Sequence, residues 1–371
     1  MVIRFDGSSP SPTSWPGGRY GSVRTVLQNP VAWSSANSVF GDAYRHPEFP
    51  AVITLDGDDH RRIRSVLAPL LDRQGVEALR RRLAPIARRT VEDALRRARF
   101  DAVVDVARPV ASASVEALLG ARVPSEYLGA TAAVAAAMGA QANLVGTPRL
   151  EAYEAALGEL HALFLDWLRR PPSREGAAGL FASAVRAHRI TVREAVANLV
   201  LLSIAGSETT IGLLAGVIVR LAAAHPLHER LRRQRVARVR FIEEVARLES
   251  PSRLFFRLGP AGEVCPLDLA SANRDAEAFA APHALDLDRA NAAHLAFGLG
   301  THHCPGAGLA RALALEVLEA LLASGARIEC ERADIEWQPY RLTRQPVAVP
   351  IRVVGPPSRA SPARGTRRVH E

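Results

Sequence analysis

Several stretches of the 371-residue chain place reactive side chains at spacings that could carry chemistry. The most pointed is Phe297-Gly298-Leu299-Gly300-Thr301-His302-His303-Cys304-Pro305-Gly306-Ala307-Gly308, a glycine-rich loop around a lone cysteine. It runs into a helical pattern, with apolar residues recurring at Leu309, Leu313, Val317 and Leu321 and with Arg311, Glu316 and Glu319 off that face. Pro305 falls just inside the expected helix start, and Gly325 can end the helix in a left-handed conformation. Cys304 is therefore expected at a helix N-terminus, where free N–H groups and the positive end of the macrodipole favour a thiolate, the form that ligates metals. A lone cysteine can also be a buried structural residue. Gly298, Gly300 and Gly306 argue against that here, since they let backbone approach something large and flat beside the sulfur.

A second stretch, Ala205-Gly206-Ser207-Glu208-Thr209-Thr210, lies in the middle of a long helical pattern that is apolar nearly all round. An acid and two hydroxyls are a poor structural choice there, because an unpaired carboxylate is costly to bury and glycine weakens a helix by up to about 1 kcal/mol. The helix should start at a capping box, with Thr191 as N-cap and Glu194 reaching back, and stop before His225-Pro226. A membrane span would fit its length, but Glu208, Thr209 and Thr210 fall mid-helix, where a charge in lipid is expensive. A third stretch puts His60 and Arg64 on one face of a helix opened by a cap at Asp58 or Asp59; on its own this could be a solvated basic surface. The run Arg230, Arg232, Arg233, Arg235 and Arg238 reads as solvated surface, and Glu244 and Arg247 as a local ion pair.

Composition sets the frame for these sites. At 48% hydrophobic, the chain can bury a substantial core. Its three cysteines have no paired spacing, against a disulfide framework or zinc site and for a reducing cytosol. The N-terminal residues 1–18 are polar and rich in Pro and Ser, with no apolar signal or anchor pattern. The formal charge of +9 would suit nucleic acid, an anionic surface or an acidic partner, but no nucleic-acid motif accompanies it.

Together the motifs resemble those of the cytochrome P450 family. Phe297, Gly298, Gly300, His302, Cys304 and Gly306 meet every fixed position of its cysteine loop, Phe-Gly-x-Gly-x-His/Arg-x-Cys-x-Gly. Ala205 to Thr210 is similar to its Ala-Gly-x-Asp/Glu-Thr-Thr, Glu244 to Arg247 to its Glu-x-x-Arg, and His60 to Arg64 to its His-x-x-x-Arg. The four occur in the family's order, and the resemblance covers roughly residues 19–354.

It implies a mostly helical α+β haem-thiolate fold with a long central helix and small β-sheets, in one domain. Residues 1–18 would be a polar segment and 355–371 a basic, disordered tail. The cofactor would be haem b, its iron ligated by Cys304, with His60, Arg64, Arg257 and His302 on the propionates. Ala205 and Gly206 would leave room over the haem, Glu208 and Thr209 would manage protons there, and Phe297, Gly298 and Gly306 would shape the cysteine loop. The implied activity is monooxygenation of a small organic substrate by O2, in bacterial secondary metabolism. Electrons would come from ferredoxin and ferredoxin reductase, docking on a basic surface near Arg61, Arg62 and Arg73. The enzyme would be a cytoplasmic monomer that binds neither nucleic acid nor membrane. A peroxygenase, an oxygen-independent isomerase and a non-catalytic recruitment module are the alternatives; the intact acid–alcohol pair argues against the first two and the intact cysteine loop against the last. The loops 36–54 and 127–184 would edge and roof the pocket. The chain departs from the family just after Arg257, where a strand–turn–strand segment is omitted, which should shrink a small sheet.

Overall fold

The computed structural model describes residues 17–36, 50–127, 129–131, 133–134, 148–290, 293–331, 335–338 and 342–354. Most of the polar segment 1–18, most of the loop 36–54, part of the segment 127–184 and the tail 355–371 lie outside them.

The organising element is the helix from Val192 to Ala223. Thr191 caps it as expected: the Glu194 N–H donates to Thr191 Oγ1 (3.1 Å), and the Glu194 carboxylate accepts from the Thr191 N–H (2.7 Å). The helix is apolar all round because it runs through the core, with 67% of its most apolar window buried. Among the described residues it is the one helix long and apolar enough to cross a membrane. Numbered in chain order, the helices before it are α1 (Tyr20–Gln28), α2 (Gly57–Leu71), α3 (Arg73–Leu95), α4 (Arg108–Leu119), α5 (Pro148–Arg169) and α6 (Ala177–Arg186). The central helix is α7, followed by α8 (His228–Arg233), α9 (Arg235–Glu249), α10 (Leu269–Ala272) and α11 (Ala307–Ala323). Helices α4, α5, α9 and α11 pack on α7, and α3 packs along α11.

The strands are few. β1 (Arg99–Asp101), β4 (Arg327–Cys330) and β5 (Pro350–Val354) form an antiparallel sheet in the order β1-β5-β4. The two C-terminal strands are expected from their apolar runs; β1 is too short to announce itself. β2 (Leu254–Leu258) and β3 (Val264–Asp268) pair as a hairpin closed over Gly259–Gly262, where the Gly259 N–H bonds the Glu263 carbonyl at 2.8 Å. Among the described residues this sheet has two strands, with isolated bridges from Ser34 to Leu258 and from Ser252 to Thr343 beside it.

The Glu244–Arg247 pair is more than a local contact. Arg247 is fully buried, forks onto both oxygens of Glu244 (2.7 and 2.9 Å) and donates to the carbonyls of Asn273, Pro282 and Ala284 at 2.9, 2.6 and 2.9 Å. Arg289 adds a bond to Glu244 at 3.1 Å, and Arg247 lies over the Phe279 ring at 5.1 Å. The cluster thereby fixes the chain that leads into the cysteine loop. Arg247→Ala takes the forked partner from the buried Glu244 and the donor from the Asn273 and Pro282 carbonyls, while Arg289 still reaches Ala284, so urea denaturation should show a loss of about 3 kcal/mol.

The arginine run 230–240 is not simply solvated. Arg230 forks onto Asp288 (2.7 and 2.6 Å), Arg238 reaches Glu319 on α11 (2.9 Å), and Arg240 bonds the Leu287 carbonyl (3.0 Å). Each is a tether between elements distant in sequence, which a run of like charges conceals.

Candidate functional site

The cysteine loop folds as a short turn ahead of α11. Its helix begins two residues later than the proline suggests: Ala307 is the first helical residue, Gly306 the cap, and Pro305 lies outside. Gly325 takes φ 69° beyond the far end, as expected. Glu316, set off the apolar face by periodicity, is nevertheless buried, because Arg80 of α3 bonds it at 2.6 Å.

The glycines divide their work differently from the expectation. Gly298 and Gly300 hold φ of 68° and 70°, and a Cβ on Gly300 would lie 2.5 Å from the Leu27 carbonyl of α1. They let the loop turn and dock. Only Gly306 abuts the sulfur, its missing Cβ 3.8 Å from Cys304 Sγ. Phe297 is half-buried beneath Arg311, whose guanidinium lies 4.2 Å from the ring centroid. Arg311 forks onto Glu243 of α9 (2.7 and 2.9 Å), which also meets His294 Nε2 (3.1 Å). Burial would raise the Glu243 carboxyl, but these partners hold it at about 2.

Cys304 is a free thiol, half-exposed. Burial pushes its pKa up, against the N–H groups of Gly306 and Ala307 and the charges of Arg64 and Arg311. Burial and the helix terminus thus act in opposite directions on the thiol, and coordination to a metal cation would deprotonate it.

Around the cysteine the structure gathers the predicted cations. Arg64 Nη2 donates to the His303 carbonyl at 2.8 Å. The rings of His60 and His302 stand 4.3 Å apart. His60 is 1% exposed, yet among the described residues neither ring nitrogen has a hydrogen-bond partner, and burial, with His302 and Arg64 nearby, lowers its pKa to about 4. Arg257 is also buried; its hydrogen bond goes to the adjacent Phe256 carbonyl (2.8 Å), and among the described residues no carboxylate pairs with it.

Two expectations at α2 fail. Neither Asp58 nor Asp59 caps the helix: they lie in its first turn and pair with Arg61 and Arg62. Arg62 is not free surface, since it also forks onto Glu194 of α7 (2.6 and 3.1 Å) and so ties α2 to the central capping box. The residue that matters was passed over. Asp56 holds the N-cap position but accepts from Ser34 Oγ (2.6 Å), the Ser35 N–H (2.7 Å) and His302 Nε2 (3.0 Å). Burial would raise its pKa, yet these bonds hold it at about 2.

On α7, exposure changes abruptly. The helix is almost wholly buried on either side, but Ala205 is exposed and Gly206, Ser207, Glu208 and Thr209 are partly exposed, so this stretch is less covered by protein than the rest of α7. Gly206 also admits α4, since a Cβ there would lie 3.2 Å from Val115. Thr209 Oγ1 donates to the Ala205 carbonyl at 2.8 Å. Among the described residues Glu208 Oε2 is buried without a partner, and burial raises the carboxyl pKa against the Arg108 charge and the Gln345 amide.

These residues fit a haem. A buried histidine and a buried arginine, neither with a carboxylate partner among the described residues, are groups that could receive haem propionates. Cys304, a free thiol beside Gly306, would hold the iron.

No family model matches the chain. Among curated proteins, cytochrome P450 109 of Bacillus spizizenii is 26% identical over 345 residues, covering 88% of this chain and 82% of that one. The β-dihydromenaquinone-9 ω-hydroxylase of Mycobacterium tuberculosis is 29% identical over 325 residues, 84% of this chain and 66% of that one. Among solved structures, ligand-free CYP164A2 of Mycobacterium smegmatis superposes with a TM-score of 0.80 at 26% identity, covering 91% of this chain and 90% of that one. A haem-thiolate monooxygenase with haem b as its cofactor accounts for the relatives and for the donor set alike. Over most of its length the chain is thus similar, in sequence and in fold, to bacterial cytochromes P450.

Proposed function

We propose that the enzyme inserts one oxygen atom of O2 into a small organic substrate lying against the exposed stretch of α7, while the other leaves as water. The observation that carries this reading is the buried Oε2 of Glu208, unpartnered among the described residues, next to Thr209 in a helix that is otherwise core. Haem bound through Cys304 supplies the oxygen chemistry, the thiolate pushing electron density toward the iron. The chain's part is to hold and to deliver. Cys304 is the metal ligand; His60, Arg64, Arg257 and His302 bind the propionates; Phe297, Gly298 and Gly306 shape the loop; and Ala205 and Gly206 keep side-chain bulk away from the reacting face. The raised pKa of Glu208 keeps a proton on its carboxyl to higher pH, ready to pass through water. Thr209, its hydroxyl proton committed to the Ala205 carbonyl, keeps lone pairs free to accept a bond and orient the donor.

Hydrogen peroxide brings its own two protons and electrons, whereas O2 needs both delivered, the task for which a proton-delivery pair is suited. Turnover with O2, NAD(P)H, ferredoxin and ferredoxin reductase should therefore exceed turnover with hydrogen peroxide alone. Equal or faster peroxide-only turnover would replace this reading with a peroxygenase. We place the enzyme in the bacterial cytoplasm, in keeping with its bacterial relatives and with α7 being spent on the core.

The electron donor would be an acidic ferredoxin, on a surface displaced from the first expectation. Arg61 and Arg62 are both ion-paired, whereas Arg73, Arg81, Arg88 and Arg89 of α3 are exposed and form no ion pair among the described residues. Arg73 and Arg81 line a groove of about 860 Å³ that is bordered by Gly308 and Ala312 of the cysteine's own helix. Arg81, Arg88 and Arg89 continue into a second of about 390 Å³. Arg81→Glu with Arg88→Glu should slow reduction of the iron by ferredoxin at low salt and leave substrate affinity unchanged. Unaltered reduction kinetics would contradict this placement.

A further inference from the structure

We infer that Asp56 is a positioning residue for the haem, acting through His302 to aim that ring at a propionate. The inference rests on the reading of His302 as a propionate contact. Asp56 occupies the N-cap of α2 with extended backbone, φ −123° and ψ 174°, the conformation from which an aspartate normally accepts from the first helical N–H groups. It makes no such bond. Its carboxylate turns instead to the Trp33-Ser34-Ser35 turn and to the cysteine loop. Ser34 Oγ and the Ser35 N–H hold Oδ2 at 2.6 and 2.7 Å, leaving Oδ1 to meet His302 Nε2 at 3.0 Å. Ser34 Oγ is itself anchored, accepting from the Ala36 N–H at 3.0 Å.

The consequence for His302 is geometric. One ring nitrogen is spent on Asp56, so Nδ1 is the nitrogen left for the haem, and the ring cannot rotate without giving up the Asp56 bond. Two loops 246 positions apart are thereby locked together across the edge of the propionate site. The neighbouring His60 ring packs on the same imidazole, so the orientation that Asp56 imposes is passed to a second propionate donor. Outer partners of this sort set the orientation of ligating histidines in metal sites, and the same logic applies to a histidine that binds a carboxylate.

The test is the rate at which haem leaves the holoenzyme, followed by absorbance as haem transfers to excess apomyoglobin. Asp56→Ala should raise that rate about tenfold, the effect of losing one hydrogen bond to a charged group. Asp56→Asn, whose single amide oxygen can keep the His302 bond only by turning its NH2 toward the Ser35 N–H, should raise it by an intermediate amount. His302→Ala should act as strongly as Asp56→Ala, and the double variant should lose haem no faster than His302→Ala alone. Ser34→Ala weakens the turn but leaves the Asp56–His302 bond, and should change the rate by less than about threefold. Multiplying effects of Asp56→Ala and His302→Ala overturn the inference, as does a Ser34→Ala effect equal to that of Asp56→Ala, which would make Asp56 a brace for the turn. If His302→Ala leaves the rate unchanged, the propionate reading itself falls, and the inference with it.

Discussion

Replacing Cys304 with serine should abolish turnover and leave the protein folded. The substitution exchanges one atom at a half-exposed position, so packing changes little. The chemistry changes completely. Burial already opposes the thiolate at this site, and only the N–H groups of Gly306 and Ala307 and the charges of Arg64 and Arg311 favour it. A thiol in such a balance ionises once a cation takes the lone pair; a hydroxyl, with its far higher pKa, does not follow. The histidine and arginine clamp remains in Cys304→Ser, so haem should still bind, more weakly and without the thiolate that activates it. Product formation is the measurement, with haem content and thermal unfolding as controls. A serine variant that retained turnover would place the metal ligand elsewhere.

Thr209→Ala and Glu208→Gln should each lower product formation by about 10²-fold, the usual scale for a positioned proton-transfer group. O2 consumption should persist, its two electrons and two protons now leaving as hydrogen peroxide. The ratio of peroxide to product is therefore more informative than either alone. The two variants differ in their response to pH. The Glu208 carboxyl has a raised pKa, so a proton donor there stays loaded above the ordinary carboxylate range and is lost as pH rises through the raised value. The falling limb of the kcat profile should track that group in the wild type and in Thr209→Ala and be absent in Glu208→Gln. Tight coupling of O2 to product in both variants would remove the pair from proton delivery.

What the sequence makes legible here is what is local. The cysteine loop, the acid–alcohol pair, the capping box at Thr191 and the His60–Arg64 face each sit within a few residues, and periodicity or spacing exposes them. The position of the helix after the cysteine is nearly legible as well, missing by two residues because Pro305 tolerates a place outside the helix as readily as one within it. The partners drawn from far along the chain are not legible. Arg289 completes the Glu244–Arg247 cluster from 45 positions away, and Asp56 meets His302 across 246. Glu316 looks like a surface residue until Arg80 arrives from another helix. Asp56 misleads for a further reason. It stands where an N-cap belongs, next to two more aspartates, and only the tertiary structure shows that its carboxylate is spent elsewhere. The roles of the glycines divide in the same manner. A motif shows that Gly300 and Gly306 are required, but only packing shows that one serves the Leu27 carbonyl and the other the sulfur.

The central claim is that Cys304 presents a thiolate to haem iron. The most direct measurement is the absorbance spectrum of the purified protein after reduction and exposure to carbon monoxide. The account predicts a Soret band shifted strongly to the red of that of a histidine-ligated haem, lost in Cys304→Ser. A haem that binds but shows the unshifted band would contradict it.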